Sequence, residues 1–280
     1  MRIHLLSDLH QEAYRYYEVE EPGIDAEGNP IMVAKLRKHE WGDYDPMPGY
    51  TPPECDVVIL AGDINEGLHG ILWALETFKD VPVLYVPGNH EFYGYRANEL
   101  LALMRKTCEG RNVQILANQD VVIDGVQFIG ATLWTDFNLH GTAFTSALAC
   151  EESINDFKFI GREDGRLITR FDVLEWNKRD TYFVSESLFH RKAEKRVVVT
   201  HFAPTERSSD PSWVNQRIGP YWATRMEELI CIREPDVWVH GHMHTSADHM
   251  IWKTRILNNP QGNPKRHPNK NFNPGFIFEV

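Results

Sequence analysis

The sequence predicts an α/β protein, on three observations. Short β-branched runs at 2–6, 57–61, 81–86, 197–200 and 237–239 have the length and composition of buried strands. Between them apolar residues recur at helical spacing, as in Leu68, Ile71, Leu72, Leu75 and Phe78, and again in Leu100, Leu101, Met104 and Cys108. Residues 121–123 and 126–129 flank Asp124-Gly125, a hairpin signal that sets an antiparallel pair beside the parallel strands.

In chain order, the strand at 2–6 runs into Asp8-Leu9-His10. Segment 14–53 follows and is longer than a simple crossover needs, and such connections tend to be functional or disordered. Its apolar stretches at 16–19 and 31–33 flank Pro22-Gly23 and Glu27-Gly28-Asn29-Pro30, which predicts an inserted hairpin. It is read as a cap on the pocket or, equally, as an elaboration of a sheet edge or an oligomer contact. The strand at 57–61 ends in Gly62-Asp63, that at 81–86 in Gly88-Asn89-His90-Glu91, and that at 197–200 in His201. The run at 237–239 leads to Gly241-His242-Met243-His244. Helices are expected near 144–157, 171–192 and 221–232.

Every one of these strand ends carries a side chain that donates to metal, and in α/β sheets ligand-handling residues collect where strands end. Imidazoles, carboxylates and one amide oxygen, with no cysteine among them, suit borderline divalent ions such as Mn, Fe, Zn or Ni. Two carboxylates, Asp8 and Asp63, leave about two positive charges on a pair of such ions, an environment that attracts phosphate and acidifies water. Gly62, Gly88 and Gly241 each precede a candidate ligand, where the chain must turn and approach the ions without a Cβ.

Asp-x-His, Gly-Asp, Gly-Asn-His-Glu, a lone His after a strand and Gly-His-x-His, in that order from Arg2 to about Asn258, resemble the calcineurin-like metallophosphoesterases, and the stretch from Gly130 to Phe137 resembles one found in a bacterial and phage-like subgroup of them. The resemblance implies a four-layer αββα sandwich of two mixed sheets with the metals at the C-terminal ends of the strands. It implies two divalent ions, Mn first, with Fe, Zn, Ni or Mg as alternatives. Asp8, His10, Asp63 and His244 would hold one ion, and Asp63, Asn89, His201 and His242 the other, with Asp63 shared. A hydroxide bridging the ions would attack phosphorus in line, and His90, left out of the ligand set, would stabilise the transition state or protonate the leaving oxygen.

Most histidines in proteins do no chemistry. This chain has 13, and His4, His39, His69, His140, His190, His249 and His267 are read as structural or surface groups, with His240 a packed group in a strand. Asp56 and Asp236 are read as strand-start polarity, and Glu91 as a carboxylate complementing a helix N-terminus. Trp134 is read as buried, although it could line the pocket, and Asp136 as a carboxylate that could orient a histidine.

A chain of 280 residues, 42% hydrophobic and 25% charged, has room for one substantial core, read as a single domain over 1–280. Cys55, Cys108, Cys150 and Cys231 show no paired spacing, and no apolar run reaches membrane-spanning length, so a cytoplasmic protein without a membrane partner is expected. The net charge of −11 argues against sequence-independent binding to long nucleic acids. The basic residues Lys253, Arg255, Lys265, Arg266 and Lys270 read as a solvated tail. The expected partner is a phosphorylated small molecule or nucleotide, and the motifs do not fix the oligomeric state. The leaning is to phosphodiester or nucleotide hydrolysis, with phosphomonoester hydrolysis as the alternative and a noncatalytic metal-binding scaffold behind both.

Overall fold

The computed structural model describes residues 1–24, 30–38, 47–209 and 211–280, with the backbone but not the side chains at 15–24 and 30–38. Its strands are β1 (Arg2–Leu6), β2 (Tyr16–Ile24), β3 (Pro30–Lys38), β4 (Val57–Leu60), β5 (Val83–Tyr85), β6 (Val113–Ile115), β7 (Gln119–Ile123), β8 (Val126–Ala131), β9 (Lys195–Thr200), β10 (Val237–Val239), β11 (Ala247–Ile251), β12 (Thr254–Asn258), β13 (Gly262–Asn263), β14 (His267–Pro268) and β15 (Ile277–Glu279). Its helices are α1 (His69–Thr77), α2 (Ala97–Cys108), α3 (Ala143–Ser153), α4 (Asp156–Phe159), α5 (Arg170–Phe189), α6 (Pro211–Val214) and α7 (Glu227–Arg233).

Two mixed sheets result, ordered β15-β1-β4-β5-β6 and β11-β12-β10-β9-β8-β7. The parallel strands pair Ile3 with Val57 and Val58 with Val83 in the first sheet, and Phe128 with Val197 and Val197 with Val237 in the second. Alternation along each strand makes two apolar faces. Ile3, Leu5, Val57 and Ile59 meet Val197, Val199, Val237 and Val239 in one core between the sheets. The opposite faces, with Val58, Leu60, Val198 and Trp238, pack among helical residues such as Ile71, Met104, Val184 and Ile230. The four-layer αββα sandwich expected from the sequence is therefore the architecture. No helix among the described residues is long and apolar enough to cross a membrane.

Asp56 and Asp236 open equivalent strands in the two sheets. Asp56 Oδ2 accepts from the Arg2 backbone N–H at 2.6 Å, and Asp236 Oδ2 from that of Arg196 at 2.9 Å. Each thereby starts the pairing of its strand with the neighbouring parallel strand. At the 124–125 turn both residues have positive φ, 44° and 78°, the geometry that Asp-Gly supplies at least cost.

Three helix expectations meet different outcomes. Thr169 and Asp172 form a reciprocal capping box that starts α5 where its periodicity begins. The single helix expected at 144–157 is instead α3 and α4, because Ile154 is extended and Asp156 turns its carboxylate into the interior. The helix expected from Tyr221 begins only at Glu227, since Thr224 N–H and Met226 N–H bond to the carbonyls of Ala203 and Pro204 and keep that stretch out of helix. Within segment 14–53, β2 and β3 pair antiparallel from Tyr16↔Lys38 to Ile24↔Pro30. The turn at Glu27-Gly28-Asn29, His39 and the side chains that would form a cap lie outside the described residues.

Candidate metal centre

The turns after β1, β4 and β5 in one sheet and after β9 and β10 in the other reach the same place. Their backbones are laced together: Asp8 N–H bonds to Gly62 O at 2.9 Å, His10 N–H to Asp63 O at 3.0 Å and Gly241 N–H to His201 O at 2.9 Å. His242 N–H donates to Asp8 Oδ1 at 2.8 Å, which joins the two sheets through a candidate ligand. Asp8, His10, Asp63, His242 and His244 all have positive φ, between 45° and 66°. Non-glycine residues adopt that region at a cost of about 1–3 kcal/mol each, and such strain concentrates at functional sites. At Gly241 an added Cβ would sit 2.5 Å from Ala61 O and 2.8 Å from Asp8 Oδ2, so the approach of the sheets requires glycine there.

The structure brings all seven ligand candidates and His90 together. Asp8, His10 and His244 form one group of potential metal donors, Asp63, His201 and His242 a second, and His10, Asp63 and His90 a third. Asp63 stands between them: Oδ2 is 3.8 Å from His10 Nε2 and 3.9 Å from His90 Nε2, while Oδ1 is 3.3 Å from His201 Nε2. His10 Nε2 faces His244 Nε2 at 2.8 Å.

The donor set fits divalent cations on its own chemistry. His201 Nδ1 bonds to the Ala61 carbonyl at 2.9 Å, which turns its Nε2 lone pair toward Asn89 Oδ1 at 3.0 Å and His242 Nδ1 at 3.2 Å. His201 Nε2, Asn89 Oδ1 and the Asp63 carboxylate oxygen 3.3 Å away are all acceptors, and a convergence of acceptors is stable only around a proton or a cation. Asp8 Oδ2 and His242 Nε2 are buried with no hydrogen-bond partner, the state of a ligand atom without its ion. Burial followed by the Asp63 charge raises the Asp8 carboxyl to about 6 against the pull of the histidines. For His201 burial acts downward, but the charges of Asp63 and Asp8 outweigh it and hold the imidazole up at about 9. Bound cations would supply that positive charge instead.

His90 is less enclosed. Its side chain is 24% exposed, stacked on Tyr93 at 4.3 Å between centroids, and its backbone N–H donates to Asp63 Oδ1 at 2.9 Å. Glu12 Oε1 lies 3.0 Å from its Nδ1 and 2.8 Å from His10 Nδ1, so one carboxylate orients both rings. Burial lowers the His90 pKa, yet Asp63 and Glu12 outweigh it and push it up to about 10.

Several working residues are absent from the sequence reading. Glu12 is one, and its only signal is an acid two positions beyond a candidate ligand. Asp156 is another: it is buried and accepts from Asn89 Nδ2 at 2.9 Å, Tyr93 OH at 2.7 Å and Tyr221 OH, which points the other end of the Asn89 amide toward His201. Asp156→Ala is expected to weaken metal binding about 10–100-fold by freeing that amide, as measured by metal titration. An unchanged affinity would count against the role.

The readings of Glu91 and Asp136 are corrected, while Trp134 and His240 are packed as expected. Glu91 does not serve a helix dipole. Its buried carboxylate accepts from the backbone N–H groups of Asp63 (3.0 Å), Ile64 (2.8 Å) and Gly88 (2.7 Å) and from Tyr85 OH (2.7 Å), clamping two metal-type turns together. Asp136 caps its own turn through Asn138 N–H at 2.9 Å and, among the described residues, orients no histidine. Trp134 is core, packed on Phe92, Trp176 and Phe202. Arg266, read as part of a solvated tail, and His267, read as a structural or surface group, are both exposed, and both also line a cavity of about 450 Å³ with His90, Asp63, Trp213 and Trp222. His240 is buried with Nδ1 on Gly241 O at 2.8 Å, outside the three donor groups.

A family model described as calcineurin-like phosphoesterase matches residues 1–246. An uncharacterized protein of Acanthamoeba polyphaga mimivirus is 26% identical over 214 residues, 71% of this chain and 73% of that protein. Among solved structures, the phosphopantetheinyl hydrolase of Mycobacterium tuberculosis superposes with a TM-score of 0.69 at 17% identity, covering 94% of this chain and 90% of that one. At that identity the likeness speaks for the fold.

Proposed function

The chain belongs to the calcineurin-like phosphoesterase family and is a metal-dependent phosphoesterase, and from that premise we propose that it hydrolyses phosphodiester or nucleotide substrates at a two-metal site. In this reading Asp8, His10, Asp63 and His244 hold one ion and Asp63, Asn89, His201 and His242 the other. The observation that carries it is the position of Asp63, whose two oxygens face different histidine groups at 3.8 Å and 3.3 Å.

When bound, the ions supply Lewis-acid chemistry, acidifying water and drawing charge from the phosphoryl oxygens. The chain's own groups do the rest. His90, held at Nδ1 by Glu12, carries a proton on Nε2 toward the cavity, where a leaving oxygen can take it. Asp156 keeps the Asn89 amide in its working orientation. The cavity reaches from these groups to Trp213, Trp222 and Arg266, space that a second ester group or a nucleoside would use and a bare monoester would leave empty. The likeness in fold to a phosphopantetheinyl hydrolase is consistent with a small phosphorylated substrate.

A turnover screen with Mn, Mg, Zn, Ni and Fe tests the reading, using bis-p-nitrophenyl phosphate against p-nitrophenyl phosphate, with metal analysis of the same samples. Two ions per chain and a higher kcat/KM for the diester are expected. One ion at saturation, or turnover confined to the monoester, would reject it.

A further inference from the structure

Metal binding and phosphoryl transfer leave Arg266, on the wall of the cavity, unexplained. It sits in the β13–β14 hairpin, where Asn263 Oδ1 accepts from the backbone N–H groups of Lys265 and Arg266, both at 3.1 Å. The hairpin is registered against the metal-type cluster, since Asn263 N–H approaches His244 Nδ1 at 3.4 Å. Among the described residues the Arg266 guanidinium forms no ion pair and no hydrogen bond, although the chain carries a net charge of −11. In such a chain, an arginine left without a carboxylate on the wall of a cavity is available to an anion.

Trp213 lines the same cavity and is 38% exposed. Its ring is pinned at right angles by His267, at 4.9 Å and 88°, and by Trp222, at 6.1 Å and 82°. A fixed, accessible indole is a platform for a planar ring, because every nucleobase offers a π face. Asn155, Thr245 and Asn263 add neutral polar groups to the lining.

We propose that the substrate is a nucleotide carrying a second phosphoryl group besides the one attacked, with Arg266 holding that second group and Trp213 packing against the base. The proposal rests on the hydrolase reading above for which phosphoryl group is attacked, but the recognition itself is a property of the cavity wall. It makes Arg266 and Trp213 specificity-determining residues, with no part in the bond-breaking step.

Equilibrium binding of ADP and AMP to the metal-loaded protein, by calorimetry, separates these roles. The wild type is expected to bind ADP about tenfold more tightly than AMP, the scale of one charge-assisted contact. Arg266→Gln is expected to abolish that preference, Arg266→Lys to restore part of it, and Trp213→Ala to weaken both ligands alike. Equal binding of ADP and AMP by the wild type, or an ADP preference that survives Arg266→Gln with the melting midpoint unchanged, would overturn the proposal. Wild-type hydrolysis of bis-p-nitrophenyl phosphate is followed in parallel. If that ester is not cleaved while ADP still binds through Arg266, the hydrolase reading fails and the binding assignment stands.

Discussion

Asp63→Ala is expected to lower the metal content from about two ions to fewer than one per chain and to reduce kcat by at least about 10³-fold, since bound ions contribute several kcal/mol of charge stabilisation. The side chain is buried between two histidine groups, and the charges of His201 and His90 overcome the cost of burial to keep its carboxyl well below the usual range. Removing it takes a ligand from both proposed ions at once, which no other candidate residue would do. It also deletes the acceptor for His90 N–H, 2.9 Å away, so the catalytic turn loosens as the ions leave. Elemental analysis of dialysed protein and steady-state turnover read the two effects. A variant that keeps both ions and its rate would remove Asp63 from the shared position.

His90→Ala should separate rate from metal. Loss of about 10²–10⁴-fold in kcat is expected, with both ions retained, because a positioned acid contributes on that scale. The ring is oriented by Glu12 at 3.0 Å and by its stack on Tyr93, and its Nε2 lies 3.9 Å from Asp63 Oδ2. That distance also lets His90 join His10 and Asp63 as a donor group. Metal stoichiometry decides between the roles. An acid leaves the count at two when removed, whereas a ligand lowers it, and an unchanged rate would exclude both.

The strand-end motifs were legible because each is local. A buried β-branched run must stop, glycine must carry the sharp turn, and the polar residue after it is held at the sheet's end by the strand itself, as at Gly62-Asp63 and Gly241-His242. The α2 stripe was legible for the same reason, with Leu100, Met104 and Cys108 all buried. The α1 stripe was only partly right, since Trp73 and Ala74 turn inward beside Ile71 while Leu72 and Leu75 stay partly exposed. A helix shows which residues are apolar, and its neighbours choose which face is covered.

The order and residue types of the ligand candidates and the α/β class were determined by the sequence alone, since they follow from periodicity and from chemistry at adjacent positions, and the ordered motifs carried the resemblance that implied the family and its two sheets. Only the tertiary structure decided that Glu12 orients His90, 78 positions away, that Asp156 holds Asn89 across 67 positions, and that the exposed Arg266 lies on the wall of the cavity that holds His90. Those roles depend on where separately folded segments come to rest. A carboxylate or guanidinium carries no local pattern that reports its distant partner, whereas a strand carries its own ending with it.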